Sequence, residues 1–313
     1  MIGAFGKLPT AGDFVRSGTG SAIATDLEQF LHGGVDAFHQ ERCSPDVFDA
    51  GRTYGFLFRS TDPRVAEGLV GLLSPSRDAV GRRFPFVVFD TIDGRQTQGG
   101  NGYLLPLAAG DFLEHALRLA RRPTLSAADL PRDLSMVEPV GGRFDQLSRE
   151  YGGWAATTRL GSVWGSIFGD PHSRYPTDAV IGIAASVEPW RGHARPPTSL
   201  SVRLPLGAGG TAAVVFWLDV VRRLSSWQET TPTAFWHWTG ENGDILVQLG
   251  DTPVSSFVEL YRPDPDAELV YDLVPRGRPA APLPVPAFAR RAADILRRPD
   301  APVLELLDAL SAR

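Results

Sequence analysis

Short apolar runs of strand length alternate with amphipathic helical stretches along most of this chain, and that alternation constrains its fold more than any other feature. Elements that are apolar on one face bury that face by packing in layers, with helices laid over a sheet. Residues 2–5 read as an opening strand. Across residues 22–41, Ile23, Leu27, Phe30, Leu31, Val35 and Phe38 recur at three- and four-residue spacing, the period of a helix with one buried side. Gly33-Gly34 weakens the middle of that helix. Residues 54–59 read as a strand, and 84–89 as a buried strand broken only by Pro85. Residues 111–121 read as a helix with Phe112, Leu113, Ala116, Leu117 and Ala120 on one face and Asp111 favouring its start.

Apolar runs return at 179–187, 200–206 and 212–221. Residues 234–238 and 244–249 form two strands around Asn242-Gly243, the strongest hairpin signal in the chain. Residues 287–296 and 303–310 close it as short helices. The expected fold is α/β: a layered mixed β-sheet flanked by helices, with a C-terminal helical appendage. The expected organisation is an N-terminal region over 1–122 and a Pro-, Gly- and charge-rich linker or surface excursion over 123–153. A second α/β region packed on the first follows over 154–274, then a Pro-rich linker and C-terminal helices over 275–313.

A chain of 313 residues that is 43% hydrophobic and 21% charged can bury one large core or two ordinary ones. Its net charge of -5, with both signs interspersed, makes a nucleic-acid backbone a poor partner. Cys43 is the one cysteine, so no intrachain disulfide forms, in keeping with a reducing compartment. Residues 1–9 lack the charged start and apolar run of a signal peptide. The longest apolar stretch, about 211–221, contains Asp219 and is too short to span a bilayer. The expectation is a cytoplasmic protein without direct membrane insertion.

The search for chemistry finds no catalytic, cofactor-binding or metal-ligating set. Gly3-Ala4-Phe5-Gly6-Lys7 resembles the end of a phosphate loop, but Leu8 stands where the hydroxyl ligand is needed. Gly207-Ala208-Gly209-Gly210 lacks the dinucleotide fingerprint. His32, His39, His115, His172, His193 and His237 are scattered, without metal-ligand spacing. Gly161-Ser162-Val163-Trp164-Gly165 has its serine one place too early for a nucleophile elbow. His39 stands one turn before Cys43, a pairing at the level of coincidence. The expectation is no enzyme and no cofactor, and the rival reading is a small-molecule or peptide hydrolase with an unrecognised site. Trp217, Trp227, Trp236 and Trp238 crowd the second half beside Phe216 and Phe235. Such rings either fill a core or anchor an interface.

Two stretches resemble the TagF (ImpM) family. The first is Gly3-Ala4-Phe5-Gly6-Lys7-Leu8-Pro9-Thr10-Ala11-Gly12-Asp13-Phe14-Val15, similar to the family's opening pattern. The second, running from Gly71 through Ser74-Pro75-Ser76-Arg77-Asp78-Ala79-Val80-Gly81-Arg82-Arg83-Phe84-Pro85 to Phe86, is similar to the family's Gly-Val-Leu-x-Pro-Ser-x-Asp-x-Val-Gly-Arg-x-Phe-Pro-Leu segment. The resemblance implies a non-catalytic, post-translational repressor of type VI secretion that acts by protein contacts. It implies as partners the forkhead-associated scaffold or membrane-complex components, and no cofactor. A structural component of the secretion apparatus is the third reading. The candidate interaction residues are Lys7, Leu8, Pro9, Gly12, Asp13, Phe14, Ser74, Pro75, Asp78, Gly81, Arg82, Phe84 and Pro85, with Trp236 and Trp238 from the aromatic cluster.

Physically, Gly6 and Gly12 suit turns with positive φ, and Asp13 suits accepting backbone N–H bonds that lock its loop. Asp78 and Arg82 lie four apart and suit a pair across one helical turn. Alternatively, Arg82 or Arg83 reaches Asp13 and clips the two loops together.

Overall fold

Successive side chains of the strands point to the two faces of a single sheet, and because both faces are covered by helices the central strands are buried almost throughout. A computed structural model of the chain describes residues 1–94, 100–193, 199–227, 231–237, 243–264, 267, 269–274 and 284–311. The strands are β1 (Ile2–Gly6), β2 (Val15–Ser17), β3 (Tyr54–Arg59), β4 (Gly68–Ser74), β5 (Phe86–Ile92), β6 (Ser201–Gly207), β7 (Ala234–His237), β8 (Gly243–Gln248) and β9 (Val270–Asp272). They form a nine-stranded sheet in the order β2-β1-β5-β4-β3-β7-β8-β6-β9. Every pairing is antiparallel except β6 with β9, which makes the sheet mixed.

Helices α1 (Ala22–Gln40), α2 (Pro45–Asp49) and α10 (Ser255–Tyr261) cover one face. The other carries α3 (Leu105–Ala108), α4 (Gly110–Ala120), α5 (Leu130–Ser135), α6 (Phe144–Thr157), α7 (Leu160–Phe168), α8 (Tyr175–Val187), α9 (Gly210–Ser225), α11 (Arg290–Leu296) and α12 (Val303–Ser311). Side chains alternate along a strand, so Phe56 and Phe58 of β3 join the first core while Leu57 joins the second. On β5, Val87 and Phe89 face the first core, and Phe86 and Val88 the second. The result is an α/β fold of three layers.

The strand pairing β3–β7, with Tyr54 opposite His237 and Leu57 opposite Ala234, joins the two halves of the chain into that one sheet. The two strands expected on either side of Asn242-Gly243 pair antiparallel as β7 and β8, with Trp236 opposite Ile245, while Asn242 itself lies outside the described residues. Residues 123–153 carry α5 and much of α6, and bury Leu125, Leu130, Leu134, Val140 and Phe144 in the second core. The C-terminal helices pack into the same layer: α12 lies against α9 and α6, with Leu306, Leu307 and Leu310 fully buried. The runs at 179–187 and 212–221 are helices buried on nearly all sides, and that at 200–206 is strand β6. The Pro-rich stretch falls mostly on 275–283, outside the described residues. No helix among the described residues is long and apolar enough to cross a membrane.

Candidate functional site

The two motif stretches are loops at one end of β1 and between β4 and β5. Because β1 and β5 are adjacent strands, the loops meet. Gly6 ends β1 with φ +127°, and a Cβ there would lie 2.1 Å from the Pro85 carbonyl oxygen. Glycine is therefore required at this crossing for both its backbone angle and the close approach of Pro85.

Asp78 is the hub of the junction. Its buried carboxylate accepts hydrogen bonds from Lys7 Nζ in the first loop and from Arg82 Nε at 2.7 Å in its own. The backbone N–H groups of Val80 (3.1 Å) and Arg82 (2.8 Å) donate to Asp78 Oδ1, folding residues 78–82 into a tight turn with Gly81 at φ +87°. Further ties cross between the loops: Ser76 Oγ donates to the Lys7 carbonyl at 2.7 Å, Ala79 N to the Ala11 carbonyl at 2.9 Å, and Arg82 Nη2 to the Gly12 carbonyl. Burial pushes the Asp78 carboxyl up, but the hydrogen bonds from Lys7 and Arg82 outweigh it and hold it well below the usual carboxylate range. Arg83 forms a bidentate pair with Asp49, at 2.8 and 2.6 Å, which fastens the second loop to α2.

The clip thus exists, with a different acid at its centre from the one expected. Asp13 accepts none of these backbone bonds; its side chain stands fully in water and comes no nearer to Arg82 than 3.9 Å. A charge this exposed gains little from a distant partner. Asp13→Ala is accordingly expected to leave the melting temperature within about 1 °C of the parent, read by thermal unfolding. The Asp78–Arg82 pair forms in a turn rather than across a helix. Gly12 is absent from the glycines of positive φ; among the motif glycines, Gly6 and Gly81 have it.

The remaining candidates separate into packed and exposed residues. Leu8, Phe84 and Pro85 are buried. Phe14 is half-buried, with Phe84 at 5.0 Å and His32 at 5.6 Å between ring centroids, and the Arg16 guanidinium 4.4 Å over its ring. Ser74 Oγ lies 3.1 Å from Thr53 Oγ1. Pro9 and Pro75 line a cleft shared with Asp49, Arg77, Arg121 and Arg122. Trp236 is no contact residue: it faces the second core, 1% exposed, over Gly55 of the neighbouring strand. Trp217 and Trp227 are likewise buried, because the face of the sheet they pack on is covered by helices. Trp238 lies outside the described residues.

Two residues escaped the sequence reading. Val80, 71% exposed at the tip of the Asp78 turn, is an apolar side chain offered to solvent by a fixed loop. It sits inside the second motif, but a lone valine in a sequence reads as core. Arg203 of β6 is buried among carboxylates: Nη1 lies 3.0 Å from Asp244, Nη2 2.8 Å from Glu259, and Nε 3.7 Å from Asp272. Burial pushes the Glu259 carboxyl up in spite of that guanidinium. This cluster ties β6, β8, β9 and α10 together. Its signal in the sequence was one arginine inside the apolar run 200–206.

The clip borders a cleft of ≈ 500 Å³ between α1, α2 and the second loop. Phe38, Phe48, Phe84 and Phe257 are among its lining, as are Lys7, Arg82, Arg83, His32, His39 and Cys43. His39 and Cys43 do share this surface. Burial pushes the Cys43 thiol up, an effect that Arg262 counters and Glu41 reinforces, the opposite direction from an activated nucleophile.

Residues 3–137 match the family described as "TagF N-terminal domain, Type VI secretion system-associated". The crystal structure of PA0076 from Pseudomonas aeruginosa PAO1 is similar over 90% of this chain and 100% of that chain, with 16% sequence identity and a TM-score of 0.46. No curated protein matches the chain.

Proposed function

We propose, from the match of residues 3–137 to the family described as TagF N-terminal domain, type VI secretion system-associated, a non-catalytic, post-translational repressor of type VI secretion that acts by binding a protein through the face of its two motif loops. The observation that carries this reading is the turn 78–82. A loop that costs this many hydrogen bonds to hold is rigid, yet its tip presents Val80 to water and leaves the Arg82 side chain 59% exposed. Rigid loops that display an apolar side chain beside a charge suit recognition, since little conformational freedom is lost when a partner docks. The partners proposed are the forkhead-associated scaffold or membrane-complex components of the secretion machine, and the site of action is the cytoplasm.

The test is affinity capture of the tagged full chain from its own cells, read by mass spectrometry, beside the Val80→Asp variant. Enrichment of secretion components by the parent, with a loss of about tenfold or more in Val80→Asp at an unchanged melting temperature, is the expected result. Capture of those components unaffected by Val80→Asp would move the contact away from this face, and no enrichment while secretion is active would sink the repressor reading.

A further inference from the structure

The cleft beside the clip has a composition that selects its occupant. Its floor is aromatic and aliphatic: Phe38 and Val35 from α1, Phe48 from α2, Phe84 from the second loop and Phe257 from α10. Its rim is basic: Lys7, Arg82 and Arg83 line it together with His32 and His39, and no carboxylate is among the lining residues. The acids that face these groups, Asp78 and Asp49, with Asp13 3.9 Å from Arg82 and Glu28 3.6 Å from His32, are not on its wall, and Asp78 is a single charge shared between Lys7 and Arg82. The volume of ≈ 500 Å³ lies within the roughly 300–1,000 Å³ usual for small-ligand sites, room enough for one bulky side chain.

We infer that this cleft receives a bulky apolar side chain from an acidic peptide segment of the protein partner, the carboxylates of that segment lying on the Lys7–Arg82–Arg83 rim. The inference rests on the proposed function and names the chemistry of its partner. Two observations favour a chain segment over a free small molecule. Val80 stands one residue before Gly81, which lines the cleft, and is exposed outside it. A molecule held inside the cleft leaves Val80 in water, whereas a segment crossing the lip covers it. The exposed Arg82 side chain also bridges inside and outside: its Nε is fixed by Asp78 and its Nη2 by the Gly12 carbonyl, so the guanidinium is positioned before any partner arrives. A basic rim around an apolar hole gives both steering and an anchor, and it disfavours basic segments by like-charge contact.

Selection of a displayed library of random twelve-residue peptides on the purified full chain tests this directly. The expected binders carry Asp or Glu on either side of one Phe, Leu or Trp. A synthesised binder should lose about tenfold or more in affinity on Val35→Trp, which fills the cleft, and should weaken several-fold as salt rises. His39→Glu, an exposed rim position, serves as the second variant: it adds a negative charge without touching the core and should weaken the same peptide several-fold. No binder, binders without an acidic bias, or a binder indifferent to both substitutions in folded protein would overturn the inference. Cellular capture separates the two readings. Loss of secretion components with Val80→Asp but not with Val35→Trp or His39→Glu removes the cleft and leaves the loop face standing. Failure to capture any secretion component removes the repressor reading, and the peptide selection then judges the cleft alone.

Discussion

Replacing Arg203 by methionine is expected to lower the melting temperature of the full chain by on the order of 10 °C. Methionine keeps much of the volume but removes the cation that faces Asp244, Glu259 and Asp272 at 3.0, 2.8 and 3.7 Å. Taking away one partner of a buried ion pair costs about 3–5 kcal/mol, because the remaining charge stays desolvated. Here three carboxylates would be left facing one another. For a chain of this size each kcal/mol is worth roughly 2–4 °C. The guanidinium also donates to the Glu259 backbone carbonyl, so α10 loses a tie to the sheet. Arg203→Met combined with Asp244→Asn and Glu259→Gln should recover much of the loss, since the repulsion it leaves is removed. Thermal unfolding of the single and triple variants measures both effects. A single variant as stable as the parent would show that the cluster contributes nothing, and a triple variant no better than the single would assign the loss to packing rather than charge.

The second large effect is Asp78→Asn. The amide keeps the shape and an oxygen for the Val80 and Arg82 N–H groups, but the anion between Lys7 and Arg82 is gone. Both cations remain at the junction, so the melting temperature should fall by about 5 °C or more at neutral pH. The dependence on pH follows from the depressed Asp78 pKa. A carboxyl that ionises more readily folded than unfolded stabilises the protein above its unfolded value of about 3.9 and loses that contribution only as pH falls through the folded value. The gap between parent and variant should therefore be constant from neutral pH down to about pH 5 and close progressively below pH 4. A gap that persists unchanged into strong acid would refute the ionic clip. Partner capture should fall together with stability in Asp78→Asn, in contrast to Val80→Asp, where only capture falls.

Much of the layered fold was legible because its signals are local. The short, nearly continuous apolar runs of β3 and β5, the three- and four-residue spacing of α1, and the turn residues between the strands that became β7 and β8 are properties of neighbouring positions. The runs that became α8 and α9 carried no readable period, since helices buried on nearly all sides are apolar all round. The 123–153 stretch, rich in proline, glycine and charge, still spaces Leu130, Leu134 and Phe144 so that two helices can bury them.

The candidate site divides along the same line. Both motif loops and the importance of Asp78 and Arg82 were set down in the order of residues alone, whereas Gly6 and Gly12 read alike until the approach of Pro85 singled out Gly6. Which acid serves as the hub was decided by tertiary structure. Asp13 and Asp78 carry the same charge, but pairing of β1 with β5 brings Lys7 to Asp78 across 71 positions and leaves Asp13 in solvent. The fate of the tryptophans was decided in the same way. In a strand of unknown neighbours Trp236 fits a core or an interface equally by its ring, and it becomes core once β7 pairs with β3 beneath a layer of helices. Residue order determines which groups are available and how a few neighbours repeat, whereas burial and long-range charge pairing depend on the path of the whole chain, which no local pattern contains.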